Sequence, residues 1–253
     1  MNRRHPSSRF VAHAFAVLTL LAPLAQSAAH AQEPTASSEA TQLPKRFVAD
    51  CERQLPATAI DVVASPSEVK YDFAKGVAEL TTRPTMFREG GAHTLGLTEA
   101  TFRLDVAWKG DVLMDSQTRM GCTRPRVTVH LKVGPQQVFV AKEFPQSGCA
   151  FWEIAKHELR HVTANQEQAE KVAQTLQDQL RSSFGNRIFY GKPDELKSAF
   201  TETLENDWMP WAKDQFAQVE AVHQSIDTPE EYRRNATMCG GEVPRALKAA
   251  GIE

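Results

Sequence analysis

Three residues of the sequence could do chemistry together: His157, Glu158 and His161, in the run His157-Glu158-Leu159-Arg160-His161. On a helix, side chains four apart share a face, with Cβ atoms about 6 Å apart. Two imidazole nitrogens can then converge on one ion at the roughly 2.0–2.1 Å that zinc requires. Glu158 follows the first histidine directly, which swings its carboxylate beside the ion rather than onto it. From there it can take a proton from a metal-activated water and pass it to a leaving amine. The spacing is that of H-E-x-x-H, so His157 and His161 are expected as zinc ligands and Glu158 as general base.

Two histidines do not complete such a site, and several residues compete for the third place. Glu167 stands where a longer form of the motif carries its last ligand, but Ala164 replaces the glycine that would end the helix. A continuing helix turns Glu167 away. Glu195, Glu202 and Glu205 lie at the distance expected of a following helix, yet none has an aspartate four residues later. Glu202 and Glu205 also fall on the polar side when Leu196, Phe200, Leu204 and Trp211 set the apolar face. His223 shares a face with Phe216, Val219 and Ile226 and should point inward, as a ligand or as an ordinary core histidine. Asp207 lies near the inward face of its helix. The sequence leaves these open. Tyr190 and Tyr232 are candidates for stabilising an oxyanion, against the plainer reading of packed or surface tyrosines. Lys156 and Arg160 read as the solvated side of the helix, and Trp208, Trp211, Phe200 and Phe216 as core.

The elements that must hold these residues follow from periodicity. Phe102, Leu104, Val106 and Trp108 alternate with polar residues, as do Val127, Val129, Leu131 and Val133. With Gly134-Pro135-Gln136-Gln137 as a turn and Val138 to Ala141 returning, residues 126–142 are expected to form a hairpin. From Phe151 to Phe184 there is neither Gly nor Pro, and Gly185 closes the run, so one long helix is expected. A second helical stretch opens at Pro193-Asp194-Glu195 and runs toward Ser225, bent at Pro210. Asp227-Thr228-Pro229-Glu230-Glu231 reads as a cap and a further helix start. Strands first and helices second give an α+β domain, with a mainly antiparallel sheet packed on the long helix.

The N-terminus reads as a signal peptide over residues 1–31. Arg3 and Arg4 precede an apolar core from Phe10 to Ala25, and Ser27-Ala28-Ala29-His30-Ala31 offers a small-residue cleavage site. The core falls short of the ~20 apolar residues of a membrane span. Residues 32–45 are small, polar and Pro-containing, a disordered leader, and 46–253 form one domain. The formal net charge is −2, and the mature part has no basic block, which argues against nucleic acid or a charged membrane surface as partner; no stable membrane insertion is expected after signal cleavage. A periplasmic or secreted location is expected. Cys51, Cys122, Cys149 and Cys239 make an even set in an exported chain, so two disulfides are expected. The hairpin favours Cys122 with Cys149, leaving Cys51 with Cys239. No G-x-S-x-G, phosphate loop or dinucleotide fingerprint is present.

The stretch from Val138 to Val162 (VFVAKEFPQSGCAFWEIAKHELRHV) resembles a group of predicted bacterial secreted zinc-dependent proteases of the zincin class. Their strands and a cysteine precede an H-E-x-x-H helix. The resemblance spans about 130 residues, and only the motif is specific. It implies a zincin-like fold, His157 and His161 as ligands, Glu158 as base, and a peptide or protein substrate in the cell envelope or medium. The competing expectations are an envelope scaffold that keeps zinc without turnover, and a metal-dependent amidase acting on cell-wall peptides.

Overall fold

The structure is a computed structural model that describes residues 43–65, 67–83 and 93–252. The expected signal peptide and most of the expected leader lie outside the described residues. Helix α1 (Lys45–Gln54) opens on the last residue of that leader. The strands are β1 (Ala59–Ser65), β2 (Val69–Asp72), β3 (Gly96–Glu99), β4 (Phe102–Lys109), β5 (Val112–Met114), β6 (Gly121–Thr123), β7 (Arg126–Val133), β8 (Gln136–Val140) and β9 (Phe189–Gly191). A short α2 (Val77–Thr81) precedes β3, and α3 covers Cys149–Phe184. The rest is helical: α4 (Pro193–Thr203), a π-helical turn (Leu204–Trp208), α5 (Met209–Ala217), α6 (Val219–Ile226) and α7 (Pro229–Ala249). The architecture is α+β.

Residues 126–142 do not form a hairpin. Strands β7 and β8 never pair with each other: β7 lies between β1 and β4, and β8 between β2 and β3. Both β1–β7 and β2–β8 are parallel, whereas β4 and β3 run antiparallel to the same two strands. Parallel partners keep one offset across the break, 132 − 65 = 67 before it and 136 − 69 = 67 after it. Arg126–Val140 is therefore one long central strand that bends at Gly134-Pro135. The expected antiparallel preference gives way to a central sheet that is half parallel. Gly134 permits the bend with a φ of +108°, and a Cβ there would also strike the Gln136 nitrogen at 2.8 Å. A turn signature reverses a chain only when the flanking strands prefer each other. Here each has two other partners.

Helix α3 lies across this bent sheet and joins its two halves. Val172, Ala173, Leu176, Leu180 and Phe184 pack with Val127, Val129 and Leu131 of β7 and with Phe200, Leu204, Trp208 and Ala212. Ala150, Phe151, Ile154 and Ala155, nearer its start, pack on Phe139 and Val140 of β8 and on Val77 and Leu80 of α2. Where a bend is expected at Pro210, the chain carries a π-helical turn just before the proline. Pro210 has no N–H to give, and the turn beside it is the wider one, with Met209 N–H bonded to the Leu204 carbonyl.

Two disulfides are present, Cys51–Cys122 and Cys149–Cys239, so both expected pairings are replaced. Without a hairpin, Cys122 on β6 is not carried toward Cys149. It lies against α1, where Phe47, Cys51 and Leu55 form a small cluster with it. Cys149 begins α3, and Cys239 lies in a kink of α7 where Cys239, Gly240 and Gly241 take positive φ. No described helix is long and apolar enough to cross a membrane.

Candidate metal centre

His157 and His161 sit on α3 one turn apart, where the helix passes under the corner between α6 and α7. That corner is built locally. Pro229 bars α6 from continuing, and Thr228, preceding a proline, is extended and caps α7 by accepting from Glu231 N at 3.2 Å. Asp227 is left at the turn, directed back at α3. Its Oδ1 lies 2.9 Å from His157 Nε2 and 3.2 Å from His161 Nε2. The two imidazole nitrogens are 3.2 Å apart. Donors about 2.0–2.1 Å from a tetrahedral ion lie roughly 3.4 Å from each other, so this triangle has the size of a ligand face.

The surroundings hold each group in place. His157 Nδ1 lies 3.1 Å from Glu231 Oε1 and 2.6 Å from Arg160 Nη2. It meets an acceptor when protonated and a donor when bare. Arg160 and Arg234 both donate to Glu231. Arg160, expected on the solvated face, is thus tied to the site. His161 Nδ1 faces His223 Nδ1 at 2.9 Å, and His223 Nε2 faces Asn165 Oδ1 at 3.1 Å. His223 touches His161 from behind and is not itself in the triangle.

Glu158 is buried, and its Oε2 accepts from the Thr98 hydroxyl of β3 at 2.8 Å. Gly96, also on β3, makes room for it: a Cβ there would lie 2.7 Å from Glu158 Oε1 and 2.7 Å from the Ile154 methyl. Burial raises the Glu158 carboxyl, more than the neighbouring His157 and His161 lower it. For Asp227, burial also pushes upward, but hydrogen bonds from both histidines outweigh it and hold the carboxyl well below its usual range. His157 is raised: burial opposes its charge, while Asp227, Glu158 and Glu231 together favour it more strongly. Burial and the nearby His161 lower His223 to about 4. Arg234 first, then His157 and Arg160, bring Glu231 down to about 2 against its partial burial.

These shifts have a consequence for the metal-free protein. His223 is neutral when folded and takes up a proton more readily when unfolded, so its contribution is intact above pH 6.5 and is lost as pH falls toward 4. Wild type is expected to lose stability relative to His223→Gln over that window. Urea unfolding of both proteins at pH 7.5, 6.0 and 4.5 with a chelator present checks this; parallel curves would contradict it.

Residues weighed from the sequence fall elsewhere. Glu167, Glu195, Glu202, Glu205 and Asp207 are exposed. Asp207 belongs to the π-helical turn, whose altered register rotates it outward from the face a regular helix would give. Tyr190 on β9 pairs with Cys122 and packs edge-on against Phe47, in the cluster around the first disulfide. Tyr232 lies on the first turn of α7, next to Glu231. Asp227 was visible only as part of a helix-start signal, and nothing in its spacing from the motif marked it. A second convergence of possible ligands, Cys149, Cys239 and Glu242, offers no site because the two sulfurs are bonded to each other.

The chain matches no protein-family model, no curated protein and no solved structure.

Proposed function

We propose that this chain is an exported zinc-dependent hydrolase that cleaves peptide bonds, with His157, His161 and Asp227 as the protein ligands and Glu158 as the proton carrier. The observation that carries this reading is the triangle of His157 Nε2, His161 Nε2 and Asp227 Oδ1, with edges of 2.9, 3.2 and 3.2 Å, beside a buried glutamate. Such a set of lone pairs is stable only around positive charge, supplied by protons or by a cation. Two imidazoles and one carboxylate, leaving a fourth position free, match a catalytic rather than a closed structural zinc set. The three side chains are 11%, 10% and 22% exposed, so solvent reaches the site.

A bound zinc ion would supply Lewis acidity toward a water and a carbonyl oxygen. The protein would do the rest. Glu158, with its carboxyl raised by burial, is suited to accept a proton and return it to a leaving amine. Thr98 and the gap at Gly96 hold that carboxylate in one orientation. Among the described residues β3 pairs only with β8, and its other edge is where an extended peptide would add in this reading. Two disulfides suit an oxidising compartment, consistent with the periplasm or the medium.

One feature favours a second reading, a structural ion without turnover: the three ligands would tie α3 to the α6–α7 corner, as Cys149–Cys239 ties the start of α3 to the kink of α7. Glu158→Gln separates the two. We expect wild type to purify with zinc, or take it up, and to cleave an unfolded protein such as casein. Glu158→Gln should keep the metal and lose activity by about 10²–10⁴-fold. Wild-type protein that takes up no zinc would end the proposal. Zinc uptake with no hydrolysis of any peptide or protein substrate would leave the structural reading.

A further inference from the structure

His161 is held at both of its ring nitrogens, and the hydrogen bonds behind it form a directed chain. From His161 Nδ1 the contacts run to His223 Nδ1 at 2.9 Å and from His223 Nε2 to Asn165 Oδ1 at 3.1 Å. Asn165 Nδ2 donates to Gln136 Oε1 at 2.9 Å, and Gln136 Nε2 donates to the Val162 carbonyl at 3.3 Å. Gln136 is fully buried and Asn165 nearly so. The chain thus crosses from α6 to α3 to the first residue of β8 and back to α3.

Its far end is a main-chain carbonyl, which can only accept. That one fact orients every link. Gln136 must turn its NH₂ toward Val162, so its oxygen faces Asn165. Asn165 must answer with its own NH₂, so its oxygen faces His223. His223 must carry its proton on Nε2, which leaves Nδ1 of the neutral ring bare. The proton between the two rings then belongs to His161 Nδ1, so Nε2 is the nitrogen left on the side of His157 and Asp227, bonded to Asp227 through a proton in the metal-free protein and offering its lone pair once that proton leaves. Flipping either amide would set donor against donor or acceptor against acceptor at two links.

We propose that His223 and Asn165 are positioning residues that lock His161 in its Nδ1–H tautomer and so aim the Nε2 lone pair at the ion. This inference rests on reading His157, His161 and Asp227 as the metal centre. Ligating histidines need their second nitrogen engaged by an acceptor to keep orientation and basicity. A carboxylate or carbonyl is the common acceptor, and His157 has Glu231 in that place. For His161 the acceptor is a second imidazole, and a neutral ring can accept only if its other nitrogen donates. That is the part played by Asn165.

The test combines ring-nitrogen NMR of the zinc-free protein with zinc affinity measured by competition against a chromophoric chelator. Zinc-free wild type should show His161 protonated on Nδ1. His223→Leu should bind zinc about 10–100-fold more weakly, and adding Asn165→Leu should cost little more, because the two residues act in one chain. His223→Gln should recover most of the affinity, since an amide can accept from His161 and donate to Asn165. A purely packing role would not distinguish Leu from Gln in this way. A folded His223→Leu protein with wild-type zinc affinity would overturn the proposal, as would finding His161 Nδ1 without a proton in zinc-free wild type. If His223→Leu does not fold, the His223→Gln affinity and the wild-type spectrum decide. If wild type takes up no zinc, the metal centre falls, and the relay is judged by the spectrum alone.

Discussion

Asp227→Ala is expected to abolish the zinc binding proposed for this site. Wild type should hold about one zinc per chain, and the variant should bind at least 100-fold more weakly, since losing a partner behind a ligand already costs about 10–100-fold. The effect is large because Asp227 is the only charged member of the triangle, 2.9 Å from one imidazole and 3.2 Å from the other. Without it two neutral rings face the ion unaided. Glu167→Ala, Glu202→Ala and Asp207→Ala should leave zinc content unchanged, because all three side chains are exposed. Elemental analysis and chelator competition on the four variants measure this directly, and thermal unfolding of the zinc-free forms separates metal loss from misfolding. An Asp227→Ala protein that retains wild-type zinc affinity would show that the ion, if there is one, is held elsewhere.

How much of this site could be read from residues alone depended on how far apart its members lie along the chain. His157, Glu158 and His161 stand within five residues of one helix, so helical geometry alone places the two rings on one face. Asp227 lies 66 residues beyond His161. Its position depends on where α6 ends, how Thr228 and Pro229 turn the chain, and how α6 rests on α3. Each of those steps leaves a local trace, but their sum does not. His223 shows the same limit differently. Its apolar neighbours point it inward, yet periodicity could not distinguish a ligand from the partner of a ligand. The strand alternation at Val127, Val129, Leu131 and Val133 is a local property, and the buried face of β7 follows it. Pairing is not local. Gly134-Pro135 carries the composition of a turn, and only the competing partners β1, β2, β3 and β4 make it a bend. The pairing of Cys122 with Cys149 expected from the sequence depends on that hairpin, and without it Cys122 meets Cys51 instead.

The two disulfides give the second large prediction, because only Cys149–Cys239 bears on the proposed metal centre. In a chain-entropy view, closing spans of 71 and 90 residues differs by only about 0.2 kcal/mol, and removing either bridge should cost roughly 2–5 kcal/mol. Stability alone would not tell them apart. Zinc affinity should. Cys149–Cys239 ties the kink of α7 to the start of α3, where Glu242 also accepts from Ala150 N at 3.0 Å and Val243 enters the core. The first turn of α7 carries Glu231, behind His157, and begins two residues after Asp227. Releasing the far end of α7 should therefore loosen a ligand and a ligand's partner together. Cys149→Ala/Cys239→Ala is expected to bind zinc at least about tenfold more weakly than wild type, even under conditions where it is fully folded. Cys51→Ala/Cys122→Ala, which frees α1 from β6, should unfold at similarly reduced urea concentration and yet keep wild-type zinc affinity. Equal losses of zinc affinity in the two double variants would mean that α7 is held against α3 without its disulfide, and that the site is sensitive only to overall stability.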